Sequence, residues 1–93
     1  MKIDLEKSVT KGRYFTLIEG ASGESELTFS IASEHMIIAD HTDVPEDLKG
    51  QGVGKALFLR MVEDARKDGV KIVPLCPFVK SQFGKFPETR DVL

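Results

Sequence analysis

One cysteine, Cys76, and no tryptophan occur among the 93 residues. A single thiol cannot close a disulfide within the chain, so the fold depends on no disulfide framework. No apolar run approaches the roughly 20 residues of a membrane-spanning helix. Met1 to Lys7 alternates charged and apolar side chains, which is not a secretory signal. Basic residues form no stripe, and Lys plus Arg (13) fall short of Asp plus Glu (15), so nothing supports nucleic-acid binding. Internal repeats, low-complexity tracts and linkers are also missing. These absences leave a cytosolic protein with no membrane or nucleic-acid partner as the default.

What is there suits one small domain, residues 1–93. A chain this short buries roughly two-thirds of its unfolded surface at best, so it has one core. The hydrophobic fraction is 41%, enough to build that core in the ordinary way. Any deep site must borrow from it or from a neighbouring subunit.

Ile3 to Val9 reads as a first strand, and Arg13 to Ile18 as a second after the Lys11-Gly12 turn. Gly20 to Glu24 is a hairpin loop. Leu27, Phe29 and Ile31 then alternate with Thr28 and Ser30, the pattern of a half-buried strand. After Ser33-Glu34 comes Met36 to Ala39, continued by His41, Thr42 and Val44. Short loops make an antiparallel meander of these segments.

Beyond the polar connection Pro45 to Lys49, helical spacing runs from about Gln51 to Asp68. It gathers Leu57, Phe58, Met61, Val62 and Ala65 on one side. Glu63 and Lys67 form an i,i+4 pair, and Gly69 suits the residue just past the C-terminus. Val70 to Leu75 is a buried strand. Pro77 opens a second helix, Phe78 to Phe86, and Pro87 ends it. Phe15, Phe29 and Phe58 are expected in the core. The order β-β-β-β-α-β-α predicts an α+β fold, mostly antiparallel, whose last strand lies parallel to the fourth.

Gly50, Gly52 and Gly54 precede and enter the long helix. Each glycine costs about 0.5–1 kcal/mol relative to alanine inside a helix, so three in a first turn need a reason. One reason is a ligand that comes close to the backbone. Residues 49–52 offer no side chain to cap the first amides, and an anion would satisfy them and meet the positive end of the helix dipole. The plain alternative is a glycine-rich turn with water on the amides. A Walker A loop and a dinucleotide fingerprint both fail on spacing: Gly50 to Gly54 has three residues between, and Lys55 stands where the sixth-position glycine belongs.

Lys49-Gly50-Gln51-Gly52-Val53-Gly54-Lys55-Ala56-Leu57 resembles the acetyl-CoA loop of the GNAT N-acetyltransferase superfamily. Gly52 and Gly54 match its two small positions, and Lys49 stands where Gln or Arg is usual. His41-Thr42-Asp43-Val44-Pro45 and Val73-Pro74-Leu75-Cys76-Pro77-Phe78-Val79 resemble segments of a short GNAT-like subgroup. The likeness covers roughly residues 35–93. It implies a minimal acyl-CoA N-acyltransferase fold with its parallel strand pair at the cofactor cleft. It implies coenzyme A pyrophosphate on the amides of Gly50, Gln51, Gly52, Val53, Gly54 and Lys55, with Val44 and Lys49 beside them. The pantetheine arm then enters a gap where the fourth and fifth strands splay apart. The extra N-terminal helices that form an acceptor wall in longer relatives are not recognisable, so the site is open or completed by a second copy.

Acetyl transfer needs a nucleophile, a route for its proton and a donor to the developing oxyanion. Cys76 lies where the resemblance puts the thioester, and a thiol is a strong nucleophile. It is a candidate for an acyl-enzyme, or else a buried small hydrophobe. His41 is a candidate base, or an orienter of Cys76 from the neighbouring strand, or a silent strand histidine. Asp43 and Glu46 are weaker base candidates. Lys49, Lys55 and Lys80 either contact coenzyme A phosphates or are surface charge. Phe83 either packs the last helix or lies beside the cofactor. Two histidines and one distant cysteine make no metal ligand set. The resemblance therefore implies an acetyl-CoA-dependent N-acetyltransferase acting on an unspecified amine, with a non-catalytic coenzyme A-binding or protein-interaction module as the alternative.

Overall fold

β-Formers and tight turns organise the first half of the chain, and a computed structural model describes all 93 residues. Strands β1 (Asp4–Lys7), β2 (Lys11–Thr16), β3 (Ser25–Ser33) and β4 (Met36–Asp43) form an antiparallel meander. A 3-10 turn, Glu46–Leu48, leads to helix α1 (Val53–Asp68). Strand β5 (Lys71–Pro74), helix α2 (Pro77–Lys85) and a 3-10 segment, Pro87–Val92, complete the chain. The sheet order is β1-β2-β3-β4-β5, and only β4 and β5 are parallel, joined by the α1 crossover. This is the α+β arrangement that the hydrophobic pattern predicts.

Helix α1 buries Leu57, Phe58, Met61, Val62 and Ala65 against Tyr14, Leu27, Phe29, Ala39 and Ile72 of the sheet. Gly69 ends it in a left-handed turn (φ 69°), where glycine carries no Cβ penalty. Across the sheet, Glu26, Thr28 and Ser30 lie on the opposite face, which no helix covers.

Several expectations shift. β1 and β2 are shorter or displaced, and the tail that sequence leaves weakly specified is a 3-10 segment with Val92 in the core. Phe15 is not a core residue. Its partner positions put Tyr14 inside, and Phe15 lies on the outer face under the Arg13 guanidinium, 3.9 Å from the ring centre. Arg13 in turn bonds Glu6, Glu24 and Glu26, and these carboxylates raise its pKa further. Glu63 and Lys67 form no ion pair, whereas Arg60 pairs with Asp64 at 3.1 Å.

Two features shape the site. The last rung of the parallel ladder is Ala39 with Pro74, while β4 runs on to Asp43. The strands therefore part beyond Ala39. On the other edge of β4 the register with β3 slips between Thr28 and Phe29, which face His41 and Ala39. Asp40 is the extra residue of a bulge.

Candidate functional site

The glycine turn is built for two different reasons. Gly50 and Gly52 sit at φ 82° and 79°, the left-handed region that L side chains rarely adopt, and a Cβ on either would meet no atom. Backbone conformation alone demands glycine there. Gly54 is helical, and a Cβ on it would come within 2.8 Å of Cζ of Phe78 on α2. The close approach expected of a ligand is made at Gly54 by this ring.

The first backbone bond into α1 is Ala56 N donating to the Gly52 carbonyl at 3.0 Å. The amides of Val53, Gly54 and Lys55 donate to no backbone or side-chain acceptor, nor do those of Gly50 and Gly52. Gln51 N differs, bonding the Leu48 carbonyl at 3.2 Å. No acidic residue occupies the first turn of α1, where carboxylates are normally favourable, and Lys55 stands there instead. A cation at the positive end of a helix dipole is unfavourable until an anion joins it.

These amides edge a cleft of about 510 Å³. One wall is Thr42, Asp43 and Val44 at the free end of β4. The second is Leu48, Lys49, Gly50, Gly52, Val53, Gly54 and Lys55. The third is Phe78, Gln82, Lys85 and Phe86. Three lysines against one aspartate make the lining suit an anion. Lys49 also pairs with Glu46 at 2.9 Å, and the Lys55 ammonium sits 4.7 Å from the centre of the Phe86 ring. Gln82 is only 5% exposed, and its Oε1 is buried without a partner.

Cys76 and His41 do not meet. Thr42 pairs with Leu27 and faces the helices, and its Oγ1 lies 3.4 Å from the Cys76 sulfur. His41 pairs with Thr28 and so points to the opposite, open face, where it is exposed. Simple alternation from buried Ala39 puts His41 inward; the extra residue Asp40 reverses the phase. Cys76 itself is 3% exposed and lies behind Thr42, outside the cleft lining.

Among the other expected residues, Val44, Lys49, Gly50, Gly52, Val53, Gly54 and Lys55 come together at the cleft. Gln51 turns away and donates from its side chain to the Asp47 carbonyl. Lys80 is exposed elsewhere, and Phe83 is buried edge-on to Phe58, with ring centres 4.9 Å apart. Sequence reasoning missed Thr42, Phe78, Gln82, Lys85 and Phe86. For three of them the signal is present: Phe78, Gln82 and Lys85 recur at i, i+4 and i+7, one helix face, while Val79 and Phe83 make the core face.

No helix is long and apolar enough to cross a membrane. The family model for the GCN5-related N-acetyltransferases matches residues 13–92. A GCN5-like candidate N-acetyltransferase from Staphylococcus aureus, solved by NMR in solution, superposes with a TM-score of 0.72. It is 31% identical, and the match covers 96% of this chain and 85% of that one. No curated protein sequence matches the chain.

Proposed function

Because this chain belongs to the GCN5-related N-acetyltransferase family, whose chemistry is acyl transfer, we propose that it moves an acetyl group from acetyl-CoA to an amine. The observation that carries this reading is the row of unpaired amides at Val53, Gly54 and Lys55 on the wall of the cleft. Pyrophosphate oxygens are the acceptors those donors call for, at the helix end that favours negative charge. Lys49, Lys55 and Lys85 add charge for the phosphates. The pantetheine arm runs past Val44 and Thr42 towards the gap beyond Ala39 and Pro74.

The acceptor amine arrives from the open face of the sheet. Its nitrogen attacks the thioester carbonyl, the carbon–nitrogen bond forms, and the carbon–sulfur bond breaks. His41, exposed on that face, accepts the proton the nitrogen loses; the departing thiolate takes one from solvent. In this scheme Cys76 is a core residue and transfer is direct.

A second reading, an acetylated Cys76 intermediate, draws support from the contact of its sulfur with Thr42, which lines the cleft. It requires a 3% exposed thiol to become accessible.

Release of free coenzyme A from acetyl-CoA, measured with a panel of amines, tests the proposal. Direct transfer predicts amine-dependent release that survives in Cys76→Ala. Loss of turnover in that variant, with one acetyl group gained in the intact mass of the wild type, would instead support the acyl-enzyme. Coenzyme A binding without any amine-dependent release would leave the non-catalytic binding module.

A further inference from the structure

Ser25 and Gln82 each bury a side-chain oxygen without a partner, and of the two only Gln82 lines the cleft. It sits in the middle of α2, 5% exposed, and its Oε1 has no partner in the chain. A buried amide oxygen without a partner is destabilising, and native structures keep few of them. Apolar residues of similar size would fit this position better if packing were its only task. Its neighbours on the same face, Phe78 and Lys85, line the cleft with it, as does Thr42 on the opposite wall.

From this we propose that Gln82 is a ligand-binding residue, pairing its side-chain amide with an amide of the acyl donor's arm. The inference rests on the acetyl-CoA reading. A carboxamide has one acceptor and two donors, so it matches another amide at two points: carbonyl to N–H and N–H to carbonyl. In acyl-CoA only the pantetheine arm carries amides; the nucleotide end offers phosphates, ribose and adenine. Gln82 therefore reads the arm, while the amides of α1 hold the pyrophosphate. This division makes Gln82 a determinant of preference for coenzyme A over a bare nucleoside diphosphate.

Calorimetric titration with coenzyme A and with ADP, on the wild type and Gln82→Met, tests the division. ADP keeps the pyrophosphate and lacks the arm. Coenzyme A affinity should fall about tenfold in the variant. ADP affinity should stay within about twofold, since no backbone donor changes. The free variant should also melt higher, by roughly 4–8 °C, because a buried unpaired carbonyl oxygen is gone. A residue kept for packing predicts the reverse: lower melting and unchanged coenzyme A binding. Should Gln82→Met fail to fold, Gln82→Leu carries the same comparison. Coenzyme A affinity equal to wild type, with ADP binding intact, would overturn this inference alone. Failure of both ligands to bind the wild type would overturn the cofactor reading and this inference with it.

Discussion

At Gly52 a methyl group would touch nothing, yet the position is not free to vary. Its φ of 79° strains any L residue by about 1–2 kcal/mol. Gly52→Ala should lower the unfolding free energy in urea by about 1 kcal/mol and weaken coenzyme A binding, since the adjoining amides must shift. Gly54→Ala should behave differently. Alanine gains up to about 1 kcal/mol of helix propensity, offset by displacing the Phe78 ring. That ring is half-buried and borders the cleft, so its room to swing lies in the cleft proposed for coenzyme A. Stability near wild type with reduced coenzyme A affinity is the expected pairing, read by urea titration and calorimetry. His41→Ala should leave coenzyme A affinity unchanged and lower turnover, because His41 faces away from the cleft.

Elements are tied together by a small polar network as well as by the core. The Tyr14 hydroxyl on β2 donates to Asp64 of α1 at 2.8 Å, and Arg60 bonds both Asp64 and the Ile3 carbonyl near β1. Burial first, then the Asp64 carboxylate, raises the Tyr14 pKa well above its ordinary value near 10. The folded state thus holds this proton more tightly than the unfolded state. Its stabilising effect is complete below about pH 10 and is lost as pH rises from there towards the folded-state value. Urea unfolding at neutral and alkaline pH should show that decline in the wild type. In Tyr14→Phe it should be largely absent, with about 1 kcal/mol lost at neutral pH from the broken hydrogen bond.

Sequence legibility also divides by element. The crossover, the long helix and the glycine turn follow from local rules: helical spacing, a capless N-terminus, glycine at the end of α1. The phase of β2 did not, because Tyr14 and Phe15 are adjacent and both suit either face. The β4 bulge was equally hidden, since no residue type marks Asp40 as extra. That one residue decides whether His41 meets Cys76. On α2 the cleft face is hard to read because it mixes Phe78, Gln82 and Lys85, whereas the aromatic spacing of Phe78, Phe83 and Phe86 suggests core packing.

For the whole molecule, a fold of 93 residues is of the size at which a bound ligand weighs heavily in stability. On the proposed function, the unpaired helix amides, a lysine at the positive end of a dipole and the unpaired Gln82 carbonyl would be met by a bound anion with an amide-bearing arm. Ligand should therefore stabilise the fold strongly: at a hundred times the dissociation constant, by about 2.7 kcal/mol. For a domain of this size that is a rise in melting temperature on the order of 10 °C or more.

The most direct measurement is a titration of the ¹⁵N-labelled protein with coenzyme A, followed through its backbone amide resonances. The amides of Gly52, Val53, Gly54 and Lys55 should move most, with Thr42 to Val44 following and the distant hairpin of β1 and β2 still. Saturating ligand that leaves residues 52–55 unmoved while shifting resonances elsewhere would contradict the docking of pyrophosphate at this turn.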